Sequence, residues 1–198
     1  MEFFSVIKKR RSVYTLSRKS SVPDARIEEI LKDALLHAPT PYNAQFGRII
    51  LLLGEVHDEF WDATKEELRK IAVSPEAFAK TETKMAGFKN SYGTALFFND
   101  MDVVKKLQDD FPLFKETFAE WSLVASGILE YIVWTSFAAE GMGASLQHYN
   151  PIIDEWVAKR TGIPKGWKLL AQMPFGVATA EAPPKEFLPL DKRFKVIK

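Results

Sequence analysis

An α+β fold is what this sequence predicts, with helices gathered around a small sheet. Segments with helical spacing outnumber short, wholly apolar runs, and those runs are spread thinly between the helices. No internal repeat and no Pro-, Gly- or Ser-rich linker interrupts the chain, so residues 1–198 read as one domain. Hydrophobic residues make up 46% of the sequence and charged ones 27%, the balance of a globular protein with a real core.

The elements follow in order. Phe3, Phe4, Val6 and Ile7 space as a short amphipathic helix that ends near the basic run "KKRR" at 8–11. Ser21-Val22-Pro23-Asp24 reads as a capping box with an early proline. Behind it, Ile27, Ile30, Leu31, Ala34 and Leu35 keep helical spacing to about Ala38. Pro39 and Pro41 force an irregular loop, "APTPYNAQFG", and the apolar run 49–53, closed by Gly54, predicts a buried strand.

Helices are predicted over 57–71 and 75–88, then a second buried strand at "TALFF" after Gly93 and a short helix over 103–109. Pro112 separates that helix from a long apolar one at 121–139, which stops near Gly141-Met142-Gly143. "ASLQ" predicts a third strand, and Pro151 starts a helix through about Lys159. "KLLAQMPFGVA" is a fourth strand region, broken by Pro174 and Gly176. The tail 183–198 is extended. There, alternation of Phe194, Val196 and Ile197 with basic residues suggests a strand added to a sheet edge.

Charge and composition exclude several classes. A formal net charge of +1 provides no global field for nucleic acid or an anionic membrane. Cysteine is absent, which removes disulfides, thiolate chemistry and cysteine zinc sites. His37, His57 and His148 lack metal-ligand spacing. The segment 121–139 is long enough to cross a bilayer, but Ser122, Ser126, Thr135 and Ser136 dilute it and Glu130 would be costly at mid-span. It reads instead as the buried centre of a fold or of a subunit interface. No signal peptide is recognisable at the N-terminus, and the expectation is a soluble cytoplasmic protein.

Three places carry candidate chemistry. The cluster Arg10-Arg11-Ser12 has a companion in Lys192-Arg193, and two such groups suit a phosphate clamp if the fold joins them. Neither common phosphate loop is present. Asn43 and Gln45 put two side-chain amides on a proline-stiffened loop, suited to the mixed donor and acceptor edge of a heteroaromatic ring. Gly141-Met142-Gly143 followed by Gln147-His148-Tyr149 allows close backbone approach beside amide and aromatic groups, with His148 available for acid–base work. Each has a plainer reading when taken alone: solvated surface, a self-satisfied turn, and a hydrogen-bonded packing histidine.

Together, "SVIKKRRSVYTL", "APTPYNAQ", "GMGASLQHYNP" and "LDKRF", in that order over nearly the whole chain, resemble the nitroreductase family of flavin enzymes. Tyr14, the short length and "SLQHYNP" are most similar to its compact fungal and lactic-acid-bacterial branch. The resemblance implies a small, mostly antiparallel sheet flanked by helices. It also implies an FMN-binding homodimer with the long helix at its core, a C-terminal extension reaching the partner, and the flavin at the interface.

On that resemblance Arg10, Arg11, Ser12 and Tyr14 hold the phosphate and polar edge of the flavin, and Lys192 and Arg193 close on the phosphate. Asn43 and Gln45 approach the ribityl chain and ring, and Gln147, His148 and Tyr149 meet the N5 edge. A further flavin contact falls to Lys84, Lys89 or Asn90. Many relatives have a serine pair and Pro-Trp where this chain has Thr40-Pro41 and Phe46-Gly47, and an acidic residue near His148; these departures bear on substrate preference. The implied activity is hydride transfer from NADH or NADPH through flavin N5 to a nitroaromatic or quinone acceptor, with no dedicated catalytic side chain. The alternatives are a flavin-binding regulatory or stress-response protein with little turnover, and an interaction domain without a cofactor.

Overall fold

The structure, a computed structural model, describes residues 2–198. A four-stranded antiparallel sheet runs in the order β1 (Gly47–Leu53), β2 (Gly93–Asp100), β4 (Trp167–Gly176), β3 (Gly143–Ala144). Helices α2 (Asp24–His37) and α6 (Thr117–Ala139) cover one face. Helices α3 (Gly54–Lys70), α4 (Pro75–Lys89) and α7 (Asp154–Thr161) cover the other. The short α1 (Phe3–Lys9) and α5 (Met101–Asp110) pack against α6.

The central strand β2 alternates between two cores, as a two-residue period requires. Ala95 and Phe97 join Val133, Phe137 and Phe175 under α6, while Leu96 and Phe98 join Phe60, Trp61 and Phe88 under α3 and α4. On β4 the alternation breaks. Pairing shifts between Phe97 and Phe98, so Leu170 is an extra residue opposite no partner. Ala171 then faces the α6 core and Leu169 the α3–α4 core, although both are odd-numbered. Such a bulge re-aims every side chain beyond it.

Several expectations need correction. Residues 49–53 form a strand, but at the sheet edge, where only Leu52 is fully buried. The capping box is not made: Pro23 is the N-cap of α2, and the Ser21 hydroxyl donates to the Glu140 carbonyl instead. β3 shrinks to two residues, with Gln147 joined to Gln172 by an isolated bridge. The helix expected from Pro151 begins at Asp154. Pro174 does not interrupt β4, which runs through it while its carbonyl accepts from the Ser145 amide at 3.3 Å.

α6 is the helix long and apolar enough, by length and composition, to cross a membrane. One side of it packs on the sheet through Ala125, Leu129, Val133 and Phe137. It is not apolar core on every side, however: Leu123, Val124, Ile128 and Tyr131 form an exposed stripe, Val124 being 64% exposed. It ends where Gly141 takes φ +83°, a left-handed turn suited to glycine.

The N-terminal segment after α1 is extended and held on both sides. Ser12 bridges Ala144, and Leu16 bridges Ala178. Gly176 makes room for it, since a Cβ there would sit 2.5 Å from the Ser17 carbonyl oxygen. Beyond Pro183 the tail is exposed, with Phe187 at 75% and Phe194 at 71%. Its expected strand does not form within this subunit: Leu190–Lys192 make a single 3-10 turn. Among the described residues, backbone hydrogen bonds from there on are local.

Candidate functional site

The fold gathers two of the motifs along one edge of β4. The Ser12–Ala144 bridge and the Val13 amide, which donates to the Ala144 carbonyl at 2.9 Å, set the basic motif beside the strand leading to Gln147. The Gln147 and Gln172 backbones exchange two bonds, at 2.7 and 2.9 Å. The Gln147 side chain is buried and donates to Ser145 Oγ at 3.0 Å, so both its backbone and its side chain are engaged within the fold. The Tyr149 amide donates to Gln172 Oε1 at 2.7 Å, and its ring packs edge-on against Trp61 and Phe88. Burial pushes the Tyr149 hydroxyl up to about 12, with nearby Tyr14 adding to the shift.

Arg10 stacks its guanidinium 4.3 Å over the Trp134 ring and 5.8 Å from that of Tyr131, both on α6. Its Nε is buried without a hydrogen-bond partner. Arg11 departs from its companion: Nη2 donates to the Pro183 carbonyl at 2.6 Å and anchors the start of the tail. It also lines a cleft of about 540 Å³ with Lys9, Val13 and Trp134. Lys192 and Arg193 are exposed on the tail.

The mid-chain candidates separate on geometry. Lys89 forms a salt bridge with Asp62 at 2.5 Å, and its carbonyl accepts from Arg18 and His57. Asn90 donates to the Leu16 carbonyl at 3.2 Å. Lys84 instead reaches over the Phe88 and Tyr149 rings, at 5.4 and 5.7 Å, beside the motif residues.

The amide loop lies elsewhere. Tyr42, Asn43 and Gln45 all hold positive φ, 54°, 50° and 53°, a strained arrangement that points to a preformed surface. Arg48 fastens the loop by donating to the Gln45 carbonyl at 2.6 Å and pairing with Asp100 at 2.9 Å. The loop borders Trp121, Val124, Ala125 and Ile128, near the N-terminal end of α6. Ala125 and Trp134 are separated by about 14 Å of helix axis. Within one subunit, then, Asn43 and Gln45 do not meet Arg10.

Glu130 was noted in the sequence only as the lone charge of an apolar helix, a signal that could have been read further. It is 7% exposed, and its side chain makes no hydrogen bond or ion pair among the described residues. Burial pushes its carboxyl up to about 7. It lines a cavity of about 300 Å³ with Ser126, His148, Asn150, Lys168 and Leu170. Sequence reading also missed Trp134 as the platform for Arg10 and Arg48 as the loop's anchor.

Comparison with known proteins identifies the family. The model described as "Nitroreductase family" matches residues 7–177. Nitroreductase FRM2 of Saccharomyces cerevisiae is 30% identical over 190 residues, covering 94% of this chain and 93% of the relative. The structure of nitroreductase CinD from Lactococcus lactis in complex with chloramphenicol superposes with a TM-score of 0.91 at 40% identity, over the full length of both chains. The same enzyme in complex with 4-nitrophenol gives 0.90.

Proposed function

The chain belongs to the nitroreductase family of oxidoreductases, and from that premise we propose that it is an FMN-dependent enzyme taking hydride from NADH or NADPH and reducing nitroaromatic or quinone-type acceptors. The observation that carries this reading is the Arg10 guanidinium. Its Nε is buried and unpartnered, and its guanidinium stacks on Trp134 close to Ser12, which bridges Ala144. A buried donor without an acceptor is costly unless a ligand supplies one.

The donor set suits a flavin phosphate and ring. Arg10 and Ser12 would hold the phosphate and polar edge, Lys84 and Tyr14 would flank the ring, and the segment Gln147–Tyr149 would lie on its N5 side. When bound, FMN supplies two-electron hydride acceptance and donation. The chain's own work is to orient donor and acceptor in turn and to keep water out.

A second copy completes the site. The amide loop and Arg10 lie too far apart on α6 to serve one flavin within a subunit. The exposed stripe Leu123, Val124, Ile128 and Tyr131 and the unpacked apolar tail both need covering. A homodimer through α6 would bring the Asn43 and Gln45 loop of one copy toward Arg10 of the other, with the tail embracing the partner. Support for an aromatic acceptor comes from the similar CinD enzyme, solved with chloramphenicol and with 4-nitrophenol.

The test is a spectrum. Protein reconstituted with FMN should hold a yellow chromophore that bleaches with NADH or NADPH and returns with a nitroaromatic or quinone. Yellow protein that no nicotinamide reduces supports the regulatory alternative, and protein that retains no flavin overturns the proposal.

A further inference from the structure

The cavity beneath His148 has features that FMN binding does not use. It is lined by Glu130, a buried residue without a side-chain partner, and by the exposed His148 and Lys168. Those two are the titratable groups that line the cavity with Glu130, from the loop after β3 and from β4; Lys168 is also felt by Asp154 of α7, while the Glu130 shift comes from burial alone. The neighbours on α6 itself, Leu123, Ser126 and Gly127, carry no charge. The placement depends on the β4 bulge: without the extra residue at Leu170, Lys168 would fall in phase with the opposite face of the sheet. The cavity is bordered by His148, from the segment assigned above to the flavin, and by Leu123 of the exposed α6 stripe assigned to the second copy.

We propose that this cavity is the acceptor pocket and that Glu130 is the acid that protonates the acceptor as it is reduced, a role that rests on the oxidoreductase reading above. Hydride delivery alone would leave an oxyanion on a quinone or nitro group. For a quinone, the hydride from reduced flavin forms one O–H bond and the Glu130 proton forms the other. The flavin N–H and Glu130 O–H bonds break, the flavin is oxidised and hydroquinone leaves. For a nitro group, hydride and proton end on one oxygen, its N–O bond breaks, and a nitroso compound and water leave. The Lys168 ammonium lowers the energy of the developing oxyanion. Glu130, left as carboxylate, is reprotonated from solvent through exposed His148. A carboxyl held protonated up to about pH 7 is matched to that task near neutrality.

The experiment separates the two half-reactions in Glu130→Gln. Reoxidation by para-benzoquinone, divided by reduction with NADH, should fall on the order of 100-fold, the scale of a lost general acid. Reoxidation by ferricyanide, which takes electrons without protons, should not fall with it. In wild type the benzoquinone rate should decline above about pH 7 while the ferricyanide rate stays level. Independently of turnover, an infrared carboxyl band of the flavin-free protein should titrate near pH 7 and be missing from Glu130→Gln. An unchanged ratio in the variant, a flat benzoquinone profile in wild type, or a carboxyl that titrates at its ordinary value overturns the assignment, the last two even if the variant does not fold. Wild-type protein that cannot be reduced at all overturns the oxidoreductase reading together with this one.

Discussion

The α3–β2 contact and the surroundings of α6 treat buried polar groups differently. Between α3 and β2 the groups form a closed knot. Trp61 Nε1 donates to Thr94 Oγ1 at 2.9 Å, Thr94 donates on to His57 Nδ1 at 2.9 Å, and His57 Nε2 donates to the Lys89 carbonyl at 3.1 Å. The carbonyl fixes the tautomer, because a ring nitrogen facing it must carry the proton. Around α6, by contrast, Arg10 Nε and Thr135 Oγ1 are buried without partners and Glu130 is a buried residue with no side-chain hydrogen bond, whereas on the other face of the sheet Asp154 Oδ1 of α7 is the one such atom among the described residues. Both regions contain titratable groups out of water, so burial does not distinguish structure from function. Satisfaction separates them better: the α3–β2 knot holds the fold, and the unpartnered groups around α6 are the ones the proposed cofactor and second copy would complete.

The largest expected effect comes from removing what would complete the surroundings of α6. Deleting residues 183–198 should abolish the dimer by sedimentation and most FMN retention, because it removes the apolar tail and Arg193 together. A truncated protein that stays dimeric, binds FMN normally and unfolds at the same temperature would show the tail to be only a frayed end. In the closed knot, His57→Ala should cost about 3 kcal/mol in urea unfolding, from a lost buried hydrogen-bond pair and a cavity. FMN affinity of the folded variant should be unchanged. Lost flavin binding there would erase the contrast between the two regions.

Acid and base should pull the two regions apart. Burial lowers the His57 pKa below its ordinary 6.5, so the unfolded chain takes up the proton first and stability falls as pH drops below about 6.5. Burial raises Glu130 from 4.5 to about 7, so the folded chain holds the proton more tightly and stability falls as pH rises between those values. At 1.36 kcal/mol per pKa unit, Glu130→Gln should gain roughly 2–3 kcal/mol relative to wild type between pH 5 and pH 8. A pH-independent difference between the two proteins would mean that Glu130 titrates normally.

How much of this was legible beforehand differs by scale. Helix spacing located α2 through α6 because apolar periodicity is local, and four ordered motifs pointed to the family. The edge position of β1 was not legible, since an apolar run reads alike at the edge and the centre of a sheet until its partners are known. The bulge at Leu170 has no signature in "KLLAQ", because it arises from register against Phe97 and Phe98. Pro174 looked like a breaker, yet the strand runs through it. Arg11 and Arg10 are adjacent and chemically equal; their opposite fates follow from an extended segment that turns successive side chains apart, which no count of charges reveals.

The smallest of these effects bears most directly on the surroundings of α6. If Arg10 keeps its buried donor for a phosphate, Arg10→Ala should weaken FMN binding to the flavin-free protein by about 1.5–3 kcal/mol, tenfold or more. Riboflavin, which has the ring but no phosphate, should bind nearly as it does to wild type. The substitution also removes a cation held 4.3 Å over the Trp134 ring, worth roughly 0.5–1 kcal/mol of folding stability at a partly exposed site. Affinity must therefore be read on protein shown to be folded. Arg193→Ala gives the parallel measurement from the tail, and the two variants should show the same phosphate selectivity if both residues grip one group. Equal losses for FMN and riboflavin in Arg10→Ala would mean that Arg10 serves the ring edge or the packing of α6, and the phosphate would have to be held by other cations.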